Sequence, residues 1–258
     1  MRMLQEILRV VSIVVAALSI PSICPAEARW TSPSPLNLQA YGDTVEDSGF
    51  PRLATDSRGR WVAVWLQYPM NFSRTPYVVS ARSADNGQTW SENSRISATP
   101  YGNHYAINPD IATDGNGKWL CVWSALNSDW DLFVSTSSSS DGVWTEPIPL
   151  HSSMATDTLH DISPRIATDG KGTWVVIWTA LKLVGTVQTD SLWYTRSSDD
   201  GQTWATPQPV QEDFTSYLGL SRHPSLCTDT NGTWVVAWEA QTSPDSGPDT
   251  FTWTSHNQ

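Results

Sequence analysis

One arrangement of apolar and polar positions recurs along the chain. Its clearest copy is PRIATDGKGTWVVIW, Pro164 to Trp178, and the same fifteen-residue layout begins at Pro51, Pro109 and Pro224. The starts lie 58, 55 and 60 residues apart, a period that fits one four-stranded sheet per repeat. Each copy reads as a β-hairpin. A Pro, which needs no ladder donor, enters a short strand that ends in Thr. An Asp and a Gly three residues on then supply the turn: Asp56/Gly59, Asp114/Gly117, Asp169/Gly172 and Asp229/Gly232. The Asp and Gly persist in all four copies while other oxygen ligands do not, which points to a turn and not a calcium loop. The return strand alternates Trp61, Ala63 and Trp65 on one face with Val62 and Val64 on the other. Both faces are apolar, so the strand is expected to be buried on both sides. The pattern predicts an all-β fold, a β-propeller of four-stranded blades with four repeats visible.

The rest of each repeat supplies further strands. Tyr77 to Arg82 and Leu192 to Arg196 read as third strands. Trp144 to Leu150 and Trp204 to Val210 share a Trp-x-x-Pro-x-Pro-apolar layout and read as outermost strands. Residues 29–38 have that outer layout too, without a blade of their own. Asp249 to Gln258 reads as a third strand running into a turn, with no outer strand after it.

The third strands lead into a more specific signature. Ser83-Ala84-Asp85-Asn86-Gly87-Gln88-Thr89-Trp90 and Ser197-Ser198-Asp199-Asp200-Gly201-Gln202-Thr203-Trp204 both fit Ser-x-Asp-x-Gly-x-Thr-Trp, and Ser138 to Trp144 is a shortened copy. This resembles the Asp box, or BNR repeat, of the sialidase-like propellers, and with the hairpins the resemblance covers nearly all of residues 29–258. It implies a structural role for Ser83, Asp85, Gly87, Trp90, Ser197, Asp199, Gly201 and Trp204: carboxylate to turn amides, Gly in the strained position, Trp beneath. The usual family fold has six blades. Two architectures follow: a closed four-bladed ring, completed by strand 29–38, or a fragment of a six-bladed sialidase-like propeller.

Composition changes the picture in three places. Residues 1–28 read as a cleavable signal peptide, with Arg2 and Arg9 before an apolar run and Ala26-Glu27-Ala28 as the cleavage site. The apolar run is too short to span a bilayer comfortably, so the expectation is a secreted or periplasmic protein with no membrane span in the mature chain, residues 29–258. The net charge is −11 with a pI near 4.7, and no basic stripe is present, which excludes nonspecific nucleic-acid binding. Cys121 and Cys227 stand at different offsets in nonadjacent repeats and read as buried small apolar residues. They suggest neither a disulfide nor a metal pair, and no metal or cofactor is expected. Asn71-Phe72-Ser73 and Asn231-Gly232-Thr233 have the form of glycosylation sequons.

The resemblance also locates a functional face, where segments entering the inner strands meet the loops between second and third strands. The entering segments hold Glu46 and Asp47, His104 and Tyr105, His160 and Asp161, and Arg222 and His223. The facing loops add Tyr68, Arg74, Asp129, Trp130, Asp131, Asp190 and Glu239. Candidate ligand-binding residues are Arg222, His223, His160, Asp161, His104, Tyr105, Asp47 and Arg74, because propellers bind at that mouth. A sialidase of this family uses three Arg to clamp the substrate carboxylate, a Tyr–Glu nucleophile pair and an Asp acid/base. Of the repeats, only the fourth carries an Arg in the matching place, Arg222 before His223-Pro224; Arg52 and Arg165 follow their Pro. The preferred expectation is therefore a secreted noncatalytic module that binds a glycan or a cell-surface protein. The alternative is an exo-α-sialidase.

Overall fold

The computed structural model describes residues 32–34, 36, 46–69, 75–97, 105–138, 142–152, 159–184, 187–210, 222–240, 247 and 249–256. The chain divides into two compact units, Met1–Ser34 and Pro35–Gln258, and the architecture below is that of the second. The signal segment and Asn71 lie outside the described residues.

Four antiparallel sheets follow one another in chain order. The first holds β1 (Glu46–Thr55), β2 (Trp61–Pro69), β3 (Tyr77–Ser83) and β4 (Ser94–Arg95). The second holds β5 (Tyr105–Thr113), β6 (Trp119–Leu126), β7 (Trp130–Ser137) and β8 (Ile148–Pro149). The third holds β9 (His160–Thr168), β10 (Trp174–Val184), β11 (Val187–Ser197) and β12 (Gln208–Pro209), and the fourth β13 (Arg222–Thr228), β14 (Thr233–Ala240) and β15 (Asp249–His256). Each is a meander with the repeat's Pro-led strand innermost, and β1, β5, β9 and β13 pack in that order. Among the described residues no α-helix is present and no helix is long and apolar enough to cross a membrane.

The sheets meet face to face, which explains why the second strands are apolar on both sides. Val62, Val64 and Leu66 of the first sheet share a core with Trp119, Cys121 and Trp123 of the second and with Trp174, Val176 and Trp178 of the third. The opposite face of β10, Val175 and Ile177, packs with Trp234, Val236 and Trp238 of the fourth. Each blade thus presents Trp residues to the blade before it and branched aliphatics to the blade after it. The face of the first sheet that bears Ala63, Trp65, Val79 and Ala81 is covered in part by Leu36. The fourth sheet turns Thr250, Thr252 and Thr254 outward instead. Cys227, paired with Val235 on that same outward face, is exposed, while Cys121 is buried. The expectation of two buried cysteines thus fails at the second, because no described sheet covers its side.

The inner strands depart from expectation too. They do not start at the Pro but four or more residues before it in the first three sheets, and two before it in the fourth, running through it with a β-bulge. The residue before each Pro takes a left-handed conformation: Phe50 (φ 55), Asn108 (φ 50), Ser163 (φ 56) and His223 (φ 52). A bulge adds one residue and re-aims the strand beyond it. Four non-Gly residues held at positive φ are a local strain that the surrounding sheet has to offset.

Asp-based turns close the end of the blades away from the strand entries, a hairpin turn in all four and, among the described residues, an Asp box in the first and third. In the hairpin turns one carboxylate oxygen accepts two amides: Asp56 from Arg58 and Arg60, Asp114 from Asn116 and Lys118, Asp169 from Lys171 and Thr173, Asp229 from Asn231 and Thr233. The preceding Thr55, Thr113, Thr168 and Thr228 each accept a turn amide and donate to a carbonyl across the turn. In the Asp boxes, Asp85 and Asp199 each accept the amide and hydroxyl of the box Thr, and Ser83 and Ser197 hydroxyls donate to them at 2.7 Å. The Trp90 indole donates to the Gly87 carbonyl. The Thr hydroxyl and amide and the Ser hydroxyl hold both box carboxyls down at about 2.

The box Gly also touches the neighbouring blade. A Cβ on Gly201 would stand 2.6 Å from Leu120 Cδ2 of the second sheet, whereas one on Gly87 would meet only Trp90, at 3.8 Å. Both have positive φ, +75° and +81°. Gly201→Ala is expected to cost about 2–4 kcal/mol, from strain plus overpacking, and Gly87→Ala about 1–2 kcal/mol from strain alone. Urea unfolding of the two variants checks the order. For Asp85 and Asp199 the folded pKa is depressed below the unfolded value of 3.8, so their stabilisation is complete above about pH 4 and fades as pH falls towards about 2. Denaturation midpoints of the wild type should therefore drop more steeply across that window than those of Asp85→Asn.

Candidate functional site

The strand entries and the loops joining second to third strands lie at one end of the blades, opposite the two kinds of Asp turn. An aromatic run crosses this mouth. Tyr68, on β2 opposite Asp47, is half-buried; burial, together with the neighbouring Tyr105 phenol, pushes its own phenol above the ordinary value. Tyr105, 40% exposed, meets the Trp130 ring edge-on, with centroids 5.9 Å apart. The Trp130 amide reaches Nδ1 of His160 at 3.4 Å, which joins the second blade to the third. The Ala106 amide donates to the Pro76 carbonyl, fixing β5 against the loop of the first blade. Two rings, Tyr105 and Trp130, and one imidazole, His160, thus stand side by side on three separate elements.

Behind this run the polar groups are committed internally. Asp161 is buried; its Oδ1 accepts the Trp178 indole N–H at 2.8 Å, and its Oδ2 lies 3.3 Å from His151 Nε2. The His151 ring stacks on Trp178 with centroids 5.6 Å apart. In the first blade the Trp65 indole donates instead to Gln67, which Ser48 also reaches. Asp129, Asp131 and Asp190 are buried as well. His223 and Glu239 form an exposed pair at 3.3 Å on the fourth blade, a geometry of small energetic weight.

The candidates therefore divide. Tyr105 and His160 come together with Trp130; Asp161 belongs to the packing behind them. Asp47 and His223 are exposed at separate blades. Arg222 occupies the first position of β13, opposite Glu239; nothing further is described of its side chain. His104 and Arg74 lie outside the described residues. His151 was not among the expected residues, and nothing in its surroundings in the sequence marks it, because its partner is on the next blade.

A second polar cluster sits on the inner strands, facing the line around which the blades turn. The residues that follow the repeat Pro, Arg52, Asp110 and Arg165, converge there. Arg52 Nε is 3.5 Å from Asp110 Oδ1, and Asp110 Oδ2 accepts the Ile166 amide of the third blade at 2.9 Å. Burial pushes the Asp110 carboxyl up, against the Ile166 amide and the charges of Arg165 and Arg52. Burial likewise pushes Arg165 down, against the attraction of Asp110. Both arginines also donate to the carbonyl of their own Pro, Pro51 or Pro164. These guanidiniums hold strands together and do not form an open clamp. Among the described residues no group of three or more His, Cys, Asp or Glu side chains is placed to hold a metal ion.

Stacked four-stranded meanders with Asp boxes at one end and a loop-lined mouth at the other define the class: the chain has the sialidase-like β-propeller fold. Among solved structures it is similar to the Hadza microbial sialidase Hz136, with a TM-score of 0.58 and 15% identity over 81% of this chain and 46% of that one. It is also similar to the GH93 α-L-arabinofuranosidase of Fusarium graminearum bound to arabinobiose (TM-score 0.61, 16% identity, 81% of this chain and 62% of that one). The Trypanosoma rangeli sialidase in complex with sialic acid gives a TM-score of 0.54 at 14% identity over 82% of this chain and 36% of that one. The chain spans less than two thirds of the length of each of these proteins. No protein-family model and no curated protein matches the sequence.

Removing the carboxylate at the centre tests the tie between blades. Asp110→Ala leaves the buried Ile166 amide without its acceptor and Arg52 without its nearest carboxylate, and is expected to cost about 1–3 kcal/mol. Asp47→Ala, at an exposed mouth position, is expected to stay within about 0.5 kcal/mol. Chemical denaturation monitored by tryptophan fluorescence compares the two.

Proposed function

We propose that this chain is a secreted, noncatalytic propeller module that binds a neutral glycan at its mouth. The observation that carries the reading is the run of Tyr105, Trp130 and His160. Aromatic faces with adjacent polar tips suit the alternation of C–H and O–H groups on a sugar ring, and they lose little conformational entropy on binding. Charge sets the preference for a neutral ligand. The titratable groups at the mouth are mostly acidic: Asp47, Asp129, Asp131, Asp161, Asp190 and Glu239, against Arg222, Lys182 and the imidazoles. An anionic sugar would enter against that field. The structural neighbours support a saccharide ligand, since two of them are complexes with arabinobiose and with sialic acid.

A second reading, an exo-α-sialidase, is favoured by Arg222, which stands at the entry of β13 where the family's carboxylate-binding Arg would be, opposite Glu239. Against it stand Arg52 and Arg165, both engaged with Asp110 and with backbone carbonyls. One preparation separates the readings. The folded protein is expected to show no turnover of a fluorogenic sialoside. On a glycan array it should retain neutral oligosaccharides, and Tyr105→Ala or Trp130→Ala should weaken that binding about ten-fold or more. Turnover that disappears in Arg222→Ala would overturn the binding reading and place Arg222 in a carboxylate clamp.

A further inference from the structure

The structure assigns a covalent modification site to the turn end of the fourth blade: Asn231, where the chain loses a side-chain amide and becomes aspartate or isoaspartate. This site is independent of glycan binding, since the hairpin tips and the mouth lie at opposite ends of the strands.

The sequence contains three Asn-Gly pairs, Asn86-Gly87, Asn116-Gly117 and Asn231-Gly232. The first lies in an Asp box and the other two in hairpin turns, and all three Asn are exposed. An Asn before Gly is especially labile, because a residue without a side chain lets its backbone nitrogen approach the Asn Cγ. That nitrogen gives its proton to solvent and bonds to Cγ, and Nδ2 leaves as ammonia. Water then opens the cyclic imide at either carbonyl. One water is consumed and one ammonia released, with no oxidant, reductant or cofactor.

Exposure does not separate the three pairs, but the ties on their reacting groups do. At the first pair the nucleophile is held, since the Gly87 amide donates to Ser83 Oγ at 2.9 Å. At the second the side-chain amide is held at both atoms. Asn116 Oδ1 accepts from Arg58 Nη2 at 3.2 Å, and its Nδ2 donates to the Asp114 carbonyl at 3.3 Å. At the third, among the described residues, no hydrogen bond forms to the Asn231 side chain or to the Gly232 amide. The neighbouring blade explains the difference. Arg58 reaches across from the first hairpin to the Asn116 side chain, whereas Lys171 of the third hairpin reaches the Thr230 carbonyl, at 2.8 Å. The Asn231 amide is left to solvent.

Conversion acts on the turn itself. Asp229 Oδ1 accepts the amides of Asn231 and Thr233 at 2.7 and 3.0 Å. An isoaspartate at 231 lengthens the main chain by one methylene between those two amides and sets a second carboxylate beside Asp229. Both changes loosen the turn.

Peptide mass spectrometry of the full chain, kept folded in mildly alkaline buffer, follows the exchange of NH2 for OH at each pair, with the urea-unfolded chain as reference. In the folded protein Asn231 is expected to convert about five-fold faster, or more, than Asn86 and Asn116, the factor that one net hydrogen bond supplies. Arg58→Ala, a change at an exposed side chain, should speed Asn116 about three-fold or more and leave Asn231 unchanged. Asn231→Gln should remove the first acidic species that ion-exchange chromatography resolves. The assignment is overturned if Asn231 converts no faster than the other two in the folded chain, if it stays intact while the unfolded chain converts, or if Arg58→Ala leaves Asn116 as slow as before.

Discussion

Blades in this protein are joined through their faces, not by hydrogen bonds between sheet edges. A sheet packed on both faces favours apolar side chains along its middle strands, and β2, β6 and β10 are accordingly apolar in both registers. The inner strands meet the same constraint where they crowd together. There the exception is Asp110, a buried carboxylate that takes an amide from the third blade and faces a guanidinium from the first. It ties three blades together through one side chain, and the charge of Arg165 acts on it without direct contact. The bulge at each Pro aims these residues, since Arg52, Asp110 and Arg165 each stand two positions after the strained residue.

The Asp turns answer a related demand at the far end of the blades. Every hairpin and every box must satisfy several amides within four or five residues, and a single carboxylate does this more compactly than solvent can. Because each turn is self-contained, it recurs in sequence almost unchanged. The mouth has no such local rule. Its loops differ in length and composition from blade to blade, so Trp65 finds Gln67 where Trp178 finds Asp161 and His151.

That contrast explains what was legible in the sequence. The repeat, the both-faced strands and the two full boxes were readable because each is fixed by residues close together in the chain. The bulge was not, since a Pro inside a strand reads locally as a strand boundary. Arg52 and Arg165 follow their Pro, and nothing near them in the chain reveals Asp110, which lies in a different repeat. Asp161 looked like an open mouth residue; its burial depends on His151 and Trp178, which reach it from the end of one blade and the second strand of the next. Cys227 stands where the other repeats carry Ala, as Cys121 stands where they carry Ala or Val, but only Cys121 lies between two described sheets.

Charge then separates the two ends of the molecule. Lys118, Lys171, Arg58, Arg60, Arg82 and Arg196 all lie towards the turn end, where many of the acids are committed to backbone amides. At the mouth the carboxylates outnumber the cations, which among the described residues include Arg222 at the entry of β13 and Lys182 on the β10–β11 hairpin. A field of this kind is felt over about a Debye length, near 8 Å at physiological salt, well short of the length of a blade strand. Each end therefore sees mainly its own charges. A single net charge of −11 therefore conceals two ends of different charge: an acidic, aromatic mouth and a turn end where the cations gather.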